Sequence, residues 1–134
     1  MINIDNKLTL MHTRILLVEN DIVHLRLLST NLSANGYIVD EFADPFKASL
    51  VFEKNPDKYN ILIIDMESIS ARELRKIKNM NKNIKILAIT ASEINFNGME
   101  LDVVLKKPIQ VDLLMHMVRK LVMPTVTLWN TYCF

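Results

Sequence analysis

The chain has 134 residues, one domain's worth. Its 50% apolar and 23% charged content is that of a soluble globular protein, and two glycines and four prolines exclude collagen-like and linker-dominated readings. Sixteen Lys+Arg against fifteen Asp+Glu leave a formal charge of +1, so neither a basic nucleic-acid footprint nor an acidic tail is present. The single cysteine, Cys133, excludes an internal disulfide framework and a multi-cysteine metal site.

In chain order, Arg14 to Glu19 is an apolar run of strand length. Ile22 to Asn35 carries Leu25, Leu28 and Leu32 at helical spacing, and Gly36 stops it. Tyr37 to Phe42 is a short β-rich run. Asp44-Pro45 reads as an N-cap followed by proline at the first helical position, with Ala48, Val51 and Phe52 as the apolar stripe. Ile61-Leu-Ile-Ile-Asp65 is the clearest buried strand, four large aliphatics ending in a carboxylate. Ser70-Ala-Arg-Glu73 matches a capping box, and Leu74, Ile77 and Met80 continue one helix face. Ile84 to Thr90 and Val103 to Leu105 are further strands. Val111, Leu114, Met117 and Leu121 predict a last helix to about Val122.

Aliphatic strands alternating with amphipathic helices predict an α/β fold whose parallel sheet is covered on both faces. Only seven residues separate Thr90 from Gly98, so the fourth crossover is expected to be a short distorted helix or irregular. The core then spans 14–122, leaving an N-terminal arm, 1–13, expected to be flexible, and a C-terminal tail, 123–134. No output domain is expected in either. No apolar run approaches the roughly 20 residues that span a bilayer, and the acidic, apolar-poor N-terminus does not read as a secretory signal. A cytoplasmic protein without a membrane partner is the expectation.

In a parallel sheet the strand ends share one edge, where sites of such folds lie. That edge would gather Glu19-Asn20-Asp21, Asp65, Thr90 and Lys107. Carboxylates bind a hard cation such as Mg²⁺. A cation and Lys107 could neutralise a phosphoryl group delivered to Asp65, which would accept it as an acyl phosphate. A threonine hydroxyl could bond a phosphoryl oxygen and draw its loop inwards.

In order, Ile15-Leu-Leu-Val-Glu-Asn-Asp21, Ile61-Leu-Ile-Ile-Asp65, Ile89-Thr-Ala91 and Leu105-Lys-Lys-Pro108 resemble the motifs of response-regulator receiver domains. The resemblance covers about Arg14 to Val122. It implies a flavodoxin-like, doubly wound five-stranded parallel sheet, order 2-1-3-4-5, with the fourth crossover helix shortened. It also implies Asp65 as phosphoacceptor, Thr90 as switch hydroxyl and Lys107 as the phosphate-contacting lysine. Mg²⁺ would lie on Glu19, Asn20, Asp65 and the backbone carbonyl of Glu67, and the Lys107-Pro108 peptide would be cis. The implied donor is a sensor histidine kinase or histidine phosphotransfer protein. The output would be a downstream protein target, without direct nucleic-acid binding and without enzymatic turnover.

The sequence also departs from that pattern. Asn20 stands where a metal-binding aspartate is usual and brings no charge. Asp21 either substitutes for it or caps the next helix, and capping is favoured. Met66-Glu-Ser-Ile-Ser70 lacks the usual Met-Pro pair and later glycine, and Glu67 would repel a phosphoryl group or bind the cation. Val104 replaces an aromatic switch residue. These departures support a second reading, a pseudo-receiver that binds partners without phosphorylation. Plainer roles compete too: Asp65 as a turn cap, Thr90 as a strand threonine, Lys107 as a solvated lysine. His12, His24 and His116 form no ligand cluster, with exposure expected for His24 and His116. Val126, Leu128, Trp129, Tyr132 and Phe134 make the tail either a segment folded onto the domain or a docking or homodimerisation segment.

Overall fold

The computed structural model describes residues 12–93, 96 and 98–123. Its elements in chain order are β1 (Arg14–Val18), α1 (Ile22–Ala34), β2 (Ile38–Phe42), α2 (Pro45–Lys54), β3 (Ile61–Asp65), α3 (Ala71–Met80), β4 (Lys85–Thr90), β5 (Val103–Lys106) and α4 (Val111–Val122). Single 3₁₀ turns at Pro56–Lys58 and Met66–Ser68 flank β3. The five strands form one sheet in the order β2-β1-β3-β4-β5, every pair parallel. This is the predicted doubly wound α/β topology.

Side-chain alternation along the strands builds two cores. Ile15, Leu17, Ile61, Ile63, Leu87 and Ile89 pack against Leu25, Leu28 and Leu32 of α1 and Leu114 and Val118 of α4. Leu16, Val18, Leu62, Ile64, Ile86 and Ala88 face Ala48 and Phe52 of α2 and Leu74 of α3. All five residues of β3 are buried, as a central parallel strand covered on both faces requires. Each fully buried Leu or Ile contributes about 1.5–3 kcal/mol relative to exposure, which fixes the register of the sheet and the placement of its ends.

The helix boundaries follow their capping residues. Asp21 caps α1 by accepting from the backbone N–H of Val23 (2.9 Å) and His24 (3.2 Å). Asp44 caps α2 through Phe46 N–H with Pro45 in the first turn, and Ser70 and Glu73 form the reciprocal capping box of α3. After α1, Gly36 takes φ +94°, a left-handed conformation that closes the helix and turns the chain into β2.

Two sequence expectations are corrected, and the fourth crossover takes the irregular of its two expected forms. Thr13, assigned to the flexible arm, is buried, and its carbonyl accepts the Ile38 N–H at 3.0 Å, so packed chain begins before Arg14. Met80 does not continue the buried face of α3; it is 37% exposed at the helix end. The described residues of the fourth crossover, 91–93, 96 and 98–102, contain no helix. There Phe96, Met99 and Leu101 pack on the second core, doing part of a helix's work without one. In consequence β5 is half-buried on alternate residues only, and Val104 is 41% exposed. Residues 1–11 and the tail from 124, including its aromatics and Cys133, lie outside the described residues.

Candidate functional site

The carboxyl ends of β1, β3, β4 and β5 converge on one edge, next to the reversal of strand order between β1 and β3. Asp65, the last residue of β3, is buried to 3% exposure, carried there by the four aliphatics before it. Its Oδ2 accepts from Lys107 Nζ at 2.9 Å, and its Oδ1 accepts from the Glu67 N–H at 3.1 Å. Asp65 therefore does cap the following turn, and it is also the centre of a charge cluster. Lys107 follows β5, its backbone N–H bonded to the Thr90 carbonyl at 2.8 Å, and the Lys107-Pro108 peptide is cis as expected.

Glu19 is 1% exposed beside Asp65. Neither of its carboxylate oxygens has a hydrogen-bond partner among the described residues. The side-chain nitrogens near it are Lys107 Nζ at 3.6 Å and His24 Nδ1 at 3.7 Å. Burial pushes the Glu19 carboxyl above its ordinary range, the adjoining Asp65 adds to this, and Lys107 opposes it. Burial acts in the same direction on Asp65. There, the neighbouring Glu67 and Glu19 carboxyl groups, the Lys107 ammonium and the hydrogen bond from the Glu67 amide prevail, and hold Asp65 well below the usual carboxylate range. Asp65 is thus the more readily ionised of the two carboxyl groups, and Glu19 the one that holds a proton more tightly. Lys107 loses some basicity to burial, regains more from Asp65 and Glu19, and remains an ammonium ion.

Thr90 is also buried, with Glu67 Oε1 at 3.4 Å and the Ser92 carbonyl at 3.2 Å as acceptors for its hydroxyl. Asn20 is exposed at the rim of the cluster, and Asp21 is committed to its cap, as the sequence favoured. The sequence therefore brings together Glu19, Asp65, Thr90 and Lys107 but leaves Asn20 outside the buried group. Two neighbours were not legible from spacing. His24 is half exposed, as its place on a helix suggested, yet its ring faces Glu19; the signal was its position in the turn that Asp21 caps. Glu67 neither merely repels nor is free: its Oε1 accepts the Ala91 N–H at 3.0 Å.

The two oxygens of Glu19, buried and unpartnered, are the observation that fits a cation. A buried carboxylate without donors is costly unless a proton or metal satisfies it. Among the described residues no three His, Cys, Asp or Glu side chains form a metal cage by themselves. The two carboxylates Glu19 and Asp65 could hold Mg²⁺, a cation that keeps several waters and needs few protein ligands.

No protein-family model matches the chain, and no curated protein matches it in sequence. Solved structures do match in fold. A CheY-like response regulator receiver domain protein from Methanospirillum hungatei JF-1 aligns at TM-score 0.70 and 23% identity over 81% of this chain and 93% of its own. A two-component response regulator from Clostridium difficile aligns at 0.73 and 19% identity over 82% and 95%. The chain has the fold of a response-regulator receiver domain. Chemotaxis protein CheY4 of Vibrio cholerae superposes similarly, at TM-score 0.71 and 18% identity over 81% of this chain and 98% of its own. The receiver fold spans the described core. No helix among the described residues is long and apolar enough to cross a membrane.

Proposed function

We propose that this receiver fold accepts a phosphoryl group on Asp65 from the phosphohistidine of a sensor histidine kinase or histidine phosphotransfer protein, and that the modification switches its binding to a downstream protein. The observation that carries the reading is the buried Asp65 held ionised with Lys107 Nζ at 2.9 Å, at the sheet edge where such folds place their sites. A carboxylate kept free of protons keeps its lone pairs for attack. An Asp65 oxygen forms the new bond to phosphorus while the phosphorus–nitrogen bond of the donor breaks. Its electron pair leaves with the imidazole, and the product is an acyl phosphate. Lys107 stays charged and balances the negative charge gathered on the transferred group. Glu19, Asp65 and the Glu67 carbonyl would hold Mg²⁺, which supplies further charge neutralisation at the phosphoryl oxygens.

The second reading, a phosphorylation-independent interaction module, is favoured by Val104, whose small exposed side chain cannot swing between buried and exposed positions. One experiment separates the two. The full chain is incubated with acetyl phosphate and Mg²⁺ and its intact mass is measured. The expected result is one phosphoryl increment, absent from Asp65→Asn. No increment in the wild-type chain, together with no effect of Mg²⁺ on its melting temperature, rules out phosphoacceptance and leaves the interaction module.

A further inference from the structure

The Glu67 side chain spans from the end of β3 to the loop after β4. Its own amide is tied to Asp65 Oδ1 at 3.1 Å. Its Oε1 accepts from the Ala91 N–H at 3.0 Å and has the hydroxyls of Thr90 and Ser92, each at 3.4 Å, on the same oxygen. One carboxylate oxygen thus gathers a backbone amide and two hydroxyls, from the last residue of β4 and the two residues after it. Three residues past Thr90 the chain is tied again by an ion pair between Glu93 and Lys106. Lys107 is not part of this arrangement, being occupied by Asp65 and Glu19.

Asp65 pairs with Ile89 across β3 and β4, so Thr90 and the residues after it stand at the same sheet edge as Asp65, the edge at which a phosphoryl group bound to Asp65 would present its oxygens. Both a carboxylate and a phosphoryl group are anionic oxygen acceptors, and a charged acceptor makes the stronger bond to an N–H or O–H. Either can satisfy the Ala91 amide and the Thr90 hydroxyl, and both cannot do so at once. We propose that Glu67 is a positioning residue, an internal anion that occupies the Ala91–Thr90–Ser92 donor set and holds the β4 loop drawn in without phosphorylation. A phosphoryl group on Asp65 must displace it, so Glu67 slows acceptance and narrows the loop movement that acceptance can cause. The second part rests on the reading of Asp65 as phosphoacceptor; the first does not.

The test compares the full-length wild type with Glu67→Ala and Glu67→Gln. Amide hydrogen exchange at Ala91 is read by NMR, and the adduct-formation rate with acetyl phosphate and Mg²⁺ is read by intact mass. Loss of a hydrogen bond to a charged acceptor should make the Ala91 amide exchange about tenfold faster in Glu67→Ala, with β1 and β3 amides unchanged. Glu67→Gln, which keeps an acceptor oxygen, should restore part of the protection. The adduct should form about tenfold faster in Glu67→Ala. Unchanged Ala91 exchange in Glu67→Ala would overturn the inference, even if the wild type forms the adduct normally. Faster Ala91 exchange with no adduct in either protein would sustain the internal anion and refute phosphoacceptance instead.

Discussion

Replacing Lys107 with methionine is expected to destabilise the domain by about 2 kcal/mol at neutral pH and to abolish detectable phosphoryl transfer to Asp65. Methionine retains most of the apolar stem, so the change isolates the charge. Lys107 Nζ lies 2.9 Å from Asp65 and 3.6 Å from Glu19, both almost fully buried, while the lysine itself is 24% exposed. Removing one partner of a buried pair costs about 3–5 kcal/mol, and the partial exposure of Lys107 lowers the expectation. The two remaining carboxylates then adjoin without a cation, and one of them must hold a proton. Its folded-state pKa lies above the unfolded value, so its stabilising contribution is complete at low pH and is lost as pH rises through the folded value. Urea unfolding of Lys107→Met should therefore show a larger deficit relative to wild type at about pH 8 than at about pH 5. An equal deficit at both would show that the ammonium does not balance the pair.

The opposite sign is expected at Glu19. The Glu19→Gln variant should be more stable than wild type by about 1–2 kcal/mol at neutral pH, because it removes a buried charge whose two oxygens have no donor. Glu19 carries a raised pKa, so its favourable contribution exists below the ordinary carboxylate range and disappears as pH rises through the raised value. The advantage of glutamine should accordingly shrink as pH falls towards about 4. The same substitution removes a ligand charge. At a Mg²⁺ concentration ten times the Kd, the wild type should gain about 1.4 kcal/mol, and Glu19→Gln should gain much less. A melting series with and without Mg²⁺ measures both effects. If glutamine destabilises the chain and Mg²⁺ acts alike on both proteins, the buried carboxylate is not a cation ligand. Together the two variants ask one question from opposite sides, since one removes the positive charge of the cluster and the other removes part of its negative excess.

The fold was legible because each segment carries its own local instruction. The run Ile61-Leu-Ile-Ile has no polar face to leave in water, so it reads as a strand covered on both sides, and it is one. Asp21, Asp44 and Ser70 each stand one residue before a helical stripe and each accept backbone N–H bonds there. Glu19, Asp65, Thr90 and Lys107 could be placed together because each ends or directly follows a parallel strand, and topology fixes the meeting of strand ends without any knowledge of side chains.

What escaped the sequence depends on direction rather than on placement. Glu67 lies outside the strands, and no periodicity tells whether its side chain points to solvent, to a cation or to the Ala91 amide. Thr13 gave no sign of burial because its neighbours in the chain form no pattern with it; it is held by a carbonyl bond to Ile38, a residue 25 positions away. His24 looked like any exposed helical histidine, and its proximity to Glu19 follows from how α1 leaves β1.

The open face of β5 bears on how the domain comes apart. Val103 and Leu105 pack on the first core, whereas Val104 and Lys106 face outwards. Among the described residues, β5 is also four residues long and bonded on one side only, to β4. A short edge strand with one packed face exchanges its ladder bonds for water more cheaply than β1 or β3, which are paired on both sides. An opening confined to β5 would carry Lys107 away from Asp65 while the sheet that holds Asp65 and Glu19 stays closed. The ammonium that balances the cluster is thus attached to the most loosely held strand of the sheet, and the two carboxylates to its most firmly held pair.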